Sequence, residues 1–285
     1  MRCTSCSSEQ TADELCHIEG EALCYPCLRK KHPAEENTVY NLDSHQGIKM
    51  LITESVDLLL IDPPYLIEGG FLGKIKSQEQ VKGNGNSERM QTYDNYQEPK
   101  LDYKALSKQF YRIMKNDTHA YIFSGIKEMS HWIIEMEKAG FIFTQLLIWE
   151  QENAKLDVTM GLKYMENKEL ILYFRKGYRK LNWQRNERET RRTVLHISSK
   201  KSPDSDFHPA SKPHDLLKIL IQNSSNEGDL VVDCFAGSGN HLISAMKLNR
   251  RFIGFELSPV FHQKIQQRII NQKQQRPLLA FEVTV

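Results

Sequence analysis

Residues 56–65 read Val-Asp-Leu-Leu-Leu-Ile-Asp-Pro-Pro-Tyr, and this decapeptide sets the architecture of the chain. Its first six residues form a short apolar run interrupted by Asp57, which is typical of a strand buried inside a sheet. Pro63 and Pro64 end such a strand, because proline has no N–H to give to the ladder. The decapeptide therefore predicts a central strand that ends in a rigid polar turn.

Apolar runs of strand length alternate with segments of helical periodicity along the rest of the chain. The predicted strands are residues 39–41, 56–61, 120–123, 141–149, 170–174, 230–233 and 251–255, with a further edge strand at 278–285. The predicted helices include residues 103–114, 129–139, 241–247 and 259–270, and another follows Pro213. This alternation predicts an α/β fold with a doubly wound, mostly parallel sheet. Residues 69–86 have no periodicity and are predicted to form a long mobile loop, either functional or disordered.

Length and composition limit the class of protein. A chain of 285 residues with 40% hydrophobic residues is enough for one large domain and a small accessory module. The formal net charge is only +2, so binding to nucleic acid requires local basic patches. No apolar run approaches the length of a membrane span, and the N-terminus does not resemble a signal peptide. These features predict a cytoplasmic protein, and the family resemblance described below implies a bacterial or phage-type host.

Asp62-Pro63-Pro64-Tyr65 is the candidate catalytic motif, because ligands bind at the carboxyl ends of strands in open α/β folds. The amino group of a nucleic-acid base is a poor nucleophile, and two acceptors on its N–H bonds would make it more reactive. Asp62 supplies a carboxylate and Pro63 a backbone carbonyl with no competing N–H. Tyr65 offers a flat face for an extruded base. A simple strand-ending turn is the structural alternative.

A second motif, at residues 231–240, predicts a cofactor turn. Here a strand enters a turn that contains Gly237 and Gly239, and glycines let backbone approach a ligand closely. Glu256 follows about 20 residues later, where an acidic residue typically binds ribose hydroxyls. The third glycine of the dinucleotide fingerprint is missing, which disfavours a pyrophosphate ligand. A tight structural turn is the alternative.

The first 33 residues predict a metal-binding module. Cys3 and Cys6 form one pair and Cys24 and Cys27 another, with seventeen residues between the pairs. This spacing is typical of a four-cysteine zinc site, and four thiolates suit a closed, tetrahedral, structural zinc. A hairpin over residues 16–23, followed by a short helix that Cys27 opens and that runs to Lys31, would make the module similar to a treble clef. Cys16, His17 and His32 remain as alternative ligands.

Three motifs, in their order along the chain, resemble the β class of DNA amino-methyltransferases. They are Asp62-Pro63-Pro64-Tyr65, then His208-Pro209-Ala210-Ser211-Lys212-Pro213, then Asp233-Cys234-Phe235-Ala236-Gly237-Ser238-Gly239. In that family the catalytic motif precedes the cofactor turn, a permuted order, and the resemblance covers about residues 39–270. Two residues depart from the family pattern: Cys234 replaces the usual proline, and Asn240 stands where threonine is common.

The resemblance implies a Rossmann-like domain over residues 34–285 that binds S-adenosylmethionine. It implies methylation of the N6 amino group of an extruded adenine in DNA, in the setting of restriction-modification, with Asp62, Pro63, Pro64 and Tyr65 as catalytic residues. Asp62 at the head of the motif favours adenine over N4 of cytosine, and an adenine in RNA is a further alternative. The implied cofactor-binding residues are His208, Ser211, Lys212, Asp233, Phe235, Gly237, Ser238, Gly239 and Glu256. The Glu169 segment also resembles the family and is interpreted as structural.

The basic region between residues 175 and 207 is predicted to recognise the DNA target. Cations suit phosphates and guanine edges, and aromatic residues suit stacking. A solvated loop is the alternative. The predicted DNA-binding residues are Arg179, Lys180, Arg185, Arg188, Arg191 and Arg192. A catalytically inactive, zinc-bearing nucleic-acid-binding protein is the alternative from another functional class, and the intact Asp62, Gly237, Gly239 and Glu256 argue against it. The oligomeric state, including a homodimer, stays open.

Overall fold

The computed structural model describes residues 2–9, 15–18, 21–31, 34–65, 101–151, 167–182, 188–199, 208 and 210–275. The strands are β1 (Leu15–Ile18), β2 (Glu21–Cys24), β3 (Thr38–Tyr40), β4 (Val56–Ile61), β5 (Met114–Ser124), β6 (Ile142–Glu150), β7 (Lys168–Lys176), β8 (Val194–His196), β9 (Leu230–Asp233) and β10 (Arg251–Phe255). The helices are α1 (Tyr25–Lys31), α2 (Ser44–Met50), α3 (Tyr103–Ile113), α4 (Met129–Ala139), α5 (His214–Ser224), α6 (Asn240–Lys247) and α7 (Pro259–Gln275), with a 3-10 turn at Arg188–Arg191. The predicted loop at 69–86 and edge strand at 278–285 lie outside the described residues.

Eight of the described strands form one sheet, in the order β3-β10-β9-β4-β5-β7-β6-β8. The first five strands are parallel, whereas β7 runs antiparallel to both of its neighbours. The predicted mostly parallel α/β sheet is confirmed. We call the edge at which β4, β5 and β9 end, next to Asp62, Ser124 and Asp233, the carboxyl edge. The opposite edge is the amino edge.

Strand β4 is buried on both faces because its alternate residues enter different cores. Leu58 and Leu60 pack with residues of α5, α6 and α7 on one face. Leu59 and Ile61 pack with residues of α2, α3 and α4 on the other face. Layers of helices on both faces explain why the run has no polar alternation.

Asp57 interrupts this apolar run and is itself buried. Its Oδ1 accepts a hydrogen bond from Lys115 Nζ at 2.8 Å, and its Oδ2 accepts one from the backbone N–H of Leu230 at 2.9 Å. A buried carboxylate is tolerated when such partners are present. Asp57 therefore links β4 to the start of β9 and has a structural role.

Two predicted elements differ in length from those observed. Strand β5 begins at Met114 and includes the polar residues 115–117, which a search for apolar runs omits. Strand pairing flanks these polar residues, with Met114 opposite Val56 of β4 and Thr118 opposite Lys176 of β7. Helix α7 continues to Gln275 because glutamine is a good helix former, so the helix does not stop at the end of the apolar pattern.

The N-terminal residues form a hairpin followed by a helix. Strands β1 and β2 pair antiparallel with Ile18 opposite Glu21, which confirms the predicted hairpin. Helix α1 starts at Tyr25, two residues before the predicted start at Cys27. Leu23 and Leu28 are buried in one cluster with Met50 of α2, so this segment packs against the larger domain. Among the described helices, none is both long and apolar enough to cross a membrane.

Candidate active site

Asp62 lies at the carboxyl edge, directly after β4, and is partly buried. Strand β9 is a direct neighbour of β4, with Leu58 opposite Val231. The sheet thereby brings the two motifs at Asp62 and Asp233 to adjacent positions, although they are far apart in the chain. Pro63 is buried and Pro64 partly buried, as expected for a turn held against the sheet.

Lys212 connects the catalytic motif to the downstream motif. Its Nζ donates to Asp62 Oδ2 at 2.5 Å and lies 3.1 Å from Glu169 Oε2, and its side chain is 4% exposed. Sequence reasoning assigned Lys212 to the cofactor and took Glu169 as structural, but the structure places both next to Asp62. The register of β7 explains this position, because Ser124 pairs with Leu170 and so puts Glu169 at the carboxyl edge.

The charges of this cluster shift the pKa of Asp62 in opposite directions, and its net shift is upward. Burial raises the pKa of Asp62, and the nearby Lys212 ammonium opposes that increase. Burial lowers the pKa of Lys212, but Asp62 and Glu169 raise it by more, and the net shift is upward. Lys212 therefore remains a cation and favours the charged form of the carboxylate beside it.

Two aromatic rings complete the surroundings of Asp62. The hydroxyl of Tyr65 donates to Asp62 Oδ1 at 3.0 Å, and burial raises the pKa of Tyr65 well above its ordinary value, so the phenol keeps its proton. The ring of Phe123 lies 5.0 Å from Lys212 Nζ, within the range of a cation–π contact. Tyr65 therefore orients the carboxylate through its hydroxyl, in addition to the flat face expected from the sequence.

The turn between β9 and α6 requires its glycines. Gly237 and Gly239 have φ values of 52° and 77°, a region that other residues rarely adopt. A Cβ at position 239 would also lie 2.7 Å from Cγ2 of Ile265. The glycines thus let the turn pack closely against α7, and the role of the turn in cofactor binding stays a prediction.

Glu256 follows β10 and faces this turn. Its Oε2 accepts from the N–H of Gly237 at 2.7 Å and its Oε1 from the N–H of Ser258 at 2.8 Å. Burial raises the pKa of Glu256 to about 7, and the hydrogen bonds from Ser258 and Gly237 oppose that increase. Each carboxylate oxygen has a second lone pair, so Glu256 can also accept hydrogen bonds from ligand hydroxyls.

Asp233 is fully buried and shapes the turn from inside. Its Oδ1 accepts from the N–H of Phe235 at 2.9 Å, and its Oδ2 lies 2.8 Å from Nδ1 of His241. The ring of His241 stacks on Phe123 at 5.7 Å. Cys234, in place of the family's proline, lies in the apolar core, and burial raises the pKa of its thiol well above the ordinary value. Cys234 therefore packs the core.

Asn240, the other departure from the family pattern, joins the turn to the Lys212 segment. Its Nδ2 donates to Ser211 Oγ at 2.8 Å and to the backbone oxygen of Lys212 at 2.7 Å. Its Oδ1 accepts from Arg268 at 2.8 Å, and Arg268 also donates to the backbone oxygen of Ser238. Arg268 is buried, and no sequence motif identified it, because it is one cation in a polar helix.

His208 lies over the turn as well. A Cβ at position 237 would come within 3.0 Å of its Nε2, so Gly237 leaves room for this ring. The ring also makes an edge contact with Phe261, with centroids 5.0 Å apart. The structure therefore gathers His208, Ser211 and Lys212 next to the glycine turn, in agreement with their assignment to one site.

The described members of the predicted DNA-binding set lie at different places in the fold. Arg179 and Lys180 come shortly after Lys176, which pairs with Thr118 near the start of β5. They therefore lie toward the amino edge, about 20 Å from the carboxyl edge at the spacing of strand residues. Arg179 lies 3.8 Å from Asp229 there, and the structure does not bring it to Asp62.

The remaining basic residues of that set are placed differently. Arg191 and Arg192 are exposed before β8. The backbone of Arg188 starts the 3-10 turn, and Arg185 lies outside the described residues. Lys176, from the same basic region, is buried and donates to the backbone oxygens of Tyr111 and Met114 at 2.9 and 2.7 Å, so it is structural.

The four paired cysteines converge at the N-terminus. One sulfur from each of Cys3, Cys6, Cys24 and Cys27 lies within 4.8 Å of the others, and all four are free thiols. The sulfurs of Cys6 and Cys24 are 3.7 Å apart. A tetrahedral zinc with Zn–S bonds of about 2.3 Å separates its sulfurs by about 3.8 Å. The donor set therefore fits zinc, whereas His32 lies outside the described residues.

Curated proteins similar to this chain are DNA methyltransferases. The type II methyltransferase M.HindIII of Haemophilus influenzae is 26% identical over 284 residues, covering 76% of this chain and 90% of that protein. The DNA adenine methyltransferase YhdJ of Escherichia coli is 25% identical over 257 residues, covering 81% of this chain and 82% of that protein.

Solved structures share the fold. The PvuII DNA methyltransferase (cytosine-N4-specific) superposes with a TM-score of 0.63 at 18% identity, covering 85% of this chain and 93% of that chain. The M1.HpyAVI–SAM complex superposes with a TM-score of 0.56 at 20% identity, covering 81% and 98%. The model of the DNA methylase family, of the N6/N4 methyltransferase type, matches residues 56–267, from the start of β4 to within α7. The chain therefore belongs to the N6/N4 DNA methylase family.

Proposed function

We propose that this protein transfers a methyl group from S-adenosylmethionine to the N6 amino group of an adenine in DNA. The observation that carries the proposal is the double attachment of Lys212. Its ammonium lies 2.5 Å from Asp62 Oδ2, and its backbone oxygen accepts from Asn240, the residue after Gly239, at 2.7 Å. One residue thus couples the predicted acceptor for the base to the predicted turn for the methyl donor.

The residues of the turn suit S-adenosylmethionine. Gly237 and Gly239 keep the backbone open to a ligand, and the Glu256 carboxylate offers lone pairs to ribose hydroxyls. His208 and Ser211 line the same turn. When bound, the cofactor supplies an electrophilic methyl group.

The chain's own residues act on the base. Asp62 and the backbone carbonyl of Pro63 accept hydrogen bonds from the amino group, which localises its lone pair on nitrogen. Lys212 and Tyr65 hold the Asp62 carboxylate ionised and oriented. After methyl transfer the amino nitrogen carries one proton in excess, and Asp62 is the acceptor placed to remove it.

Asp62 at the head of the motif is the reason for choosing adenine. The relative YhdJ is named a DNA adenine methyltransferase and supports this choice. Methylation of N4 of cytosine is the nearest alternative, because the PvuII enzyme, cytosine-N4-specific by name, shares the fold. The predicted action on DNA in a restriction-modification setting is supported by relatives named as type II methyltransferases.

Nucleoside mass spectrometry tests the reaction directly. Three substrates are incubated with the protein and S-adenosylmethionine: unmethylated DNA, a DNA that contains cytosine but no adenine, and RNA. We expect N6-methyladenine in the unmethylated DNA alone. Asp62→Ala is expected to abolish methylation while S-adenosylmethionine binds with nearly unchanged affinity in calorimetry. Full activity of Asp62→Ala would contradict the mechanism, and N4-methylcytosine would contradict the target. DNA binding with no methylation of any substrate would favour the inactive nucleic-acid-binding protein.

We further propose that Cys3, Cys6, Cys24 and Cys27 hold one structural zinc. The observation that supports it is the convergence of all four sulfurs within 4.8 Å. Cys24 ends the second strand of the β1–β2 hairpin, and Cys27 lies in helix α1. Structural zinc sites of this kind contribute folding energy to small modules. Elemental analysis of the purified protein is expected to give one zinc per chain, and none after replacement of Cys6 and Cys27 by serine.

A further inference from the structure

We infer that the zinc site stabilises the cofactor pocket, so that zinc binding and S-adenosylmethionine binding strengthen each other. This inference rests on the proposed function and goes beyond it. It assigns the N-terminal module a role in methyl-donor affinity rather than in DNA contact. Three successive sets of contacts join the four sulfurs to the Glu256 carboxylate.

The first contacts join the thiols to the large domain. Cys3 and Cys24 are 1% and 4% exposed, and they share one apolar cluster with Leu28 of α1 and Met50 of α2. Tyr40 of β3 packs against the same cluster. A metal that fixes the thiols would therefore also fix the surface on which the end of β3 rests.

The second contacts concern β3 itself. This edge strand has only three residues, Thr38–Tyr40, and pairs with β10 alone among the described strands. The ring of Tyr40 stacks on Phe255 at 5.9 Å, and its hydroxyl accepts from the N–H of Glu35 at 2.6 Å. So short a strand needs support from its side chains, and Tyr40 connects it to the cysteine cluster.

The third contacts hold the backbone of the cofactor carboxylate. The N–H of Glu256 donates to the backbone oxygen of Tyr40 at 3.0 Å. Asn41 Nδ2 donates to the backbone oxygens of Glu256 and Leu257 at 2.8 and 3.0 Å. The Glu256 side chain then accepts from Gly237 at 2.7 Å in the glycine turn. A displacement of β3 would therefore move Glu256 relative to that turn.

Linkage makes the inference quantitative. When one ligand alters the affinity for a second, the second alters the affinity for the first by the same factor. We expect loss of zinc to weaken S-adenosylmethionine binding by about tenfold, within the range of about 5–150-fold typical of coupled sites. S-adenosylmethionine should then raise the zinc affinity, measured in competition with a chelator, by the same factor. A zinc effect confined to the N-terminal module would leave the S-adenosylmethionine affinity of the folded large domain unchanged.

The experiment uses the full chain and measures two affinities. Calorimetry gives the S-adenosylmethionine dissociation constant with zinc present and after chelation, and a chromogenic chelator gives zinc affinity with and without S-adenosylmethionine. Asn41→Ala removes the hydrogen bond to the backbone of Glu256 and leaves all four cysteines in place. The variant should therefore retain zinc and yet bind S-adenosylmethionine several-fold more weakly. Glu9→Gln is the matched control, because Glu9 pairs with Arg2 on the exposed surface of the module.

Each outcome decides between separate claims. The inference would be overturned if S-adenosylmethionine bound equally well with and without zinc. It would also be overturned if a folded Asn41→Ala protein kept its S-adenosylmethionine affinity. Neither result requires the cysteine variants to fold. A protein that carries no zinc and binds S-adenosylmethionine normally would overturn it as well. A zinc-loaded protein that binds no S-adenosylmethionine would overturn the proposed function together with this inference.

Discussion

Replacing Lys212 with methionine would test whether its ammonium keeps Asp62 ready to accept a proton. The ammonium now lies 2.5 Å from Asp62 and 3.1 Å from Glu169. Its loss would leave two neighbouring, partly buried carboxylates without that counter-charge. Neighbouring carboxylates of this kind do not ionise independently, so the pKa of the pair rises.

The expected size follows from the effect of an adjacent opposite charge. Such a charge lowers a carboxyl pKa by about 1–3 units, so its removal should raise the pKa of Asp62 by about that amount. Burial already raises the pKa of Asp62 in the intact protein. In the proposed mechanism Asp62 acts as an anion, so the pH below which activity falls should move upward by about 1–3 units. The Lys212→Met protein should be strongly impaired at neutral pH and recover as the pH increases.

Single-turnover methyl transfer, measured across the range in which the protein stays folded, isolates this effect from product release. Lys212→Arg keeps the charge and should preserve most of the pH profile. Lys176→Met is the matched control, because Lys176 is also buried but bonds to backbone oxygens near the amino edge. Both methionine variants should have a lower free energy of unfolding. In Lys212→Met, which breaks a buried ion pair, the loss should be about 3–5 kcal/mol. An unshifted pH profile in folded Lys212→Met, or inactivity at every pH, would refute the electrostatic argument.

Two further predictions concern the cofactor turn. Asn240→Ala should lower the free energy of unfolding by about 2–3 kcal/mol, because the buried Arg268 loses a charge-assisted hydrogen bond. Urea titrations measure this loss. A value under about 0.5 kcal/mol would contradict the role given to Asn240. Glu256 has a pKa of about 7 in the folded protein against an ordinary value of 4.5, so the folded state resists its ionisation. The contribution of Glu256 to the free energy of unfolding should therefore be greatest below pH 4.5 and fall by about 3 kcal/mol as the pH rises to 7. Glu256→Gln should remove that fall. If the free energy of unfolding followed the same pH profile in both proteins, the role given to Glu256 would be wrong.

Local patterns in the sequence were sufficient for most of the sheet. The apolar run of β4, the glycine turn after β9 and the position of Glu256 after β10 all follow from residue types within a few positions of one another. The predicted strands and helices that fall within the described residues were confirmed in order, because each has its own periodicity and its own stop signal. The strand at 278–285 stays a prediction.

Features that depend on long-range pairing were not accessible in the same way. The antiparallel direction of β7 moves Glu169 to Asp62 and residues 177–180 toward the opposite edge, and nothing in their local sequence states that direction. The same holds for Arg268, whose partners lie about one helix and one strand earlier in the chain. A basic segment indicates affinity for phosphate, but only the fold decides which edge it occupies.

The interior position of β4 also has a consequence during synthesis. Asp57 and its hydrogen-bond partner Leu230 are 173 residues apart, so β4 leaves the ribosome long before β9 exists. At about 5–20 residues per second that interval is roughly 10–35 s, during which an apolar strand lacks its neighbour on one side. Unpaired strand edges of this kind invite aggregation. The nascent chain should therefore depend on chaperones, and slow translation of the second half should reduce the yield of folded enzyme.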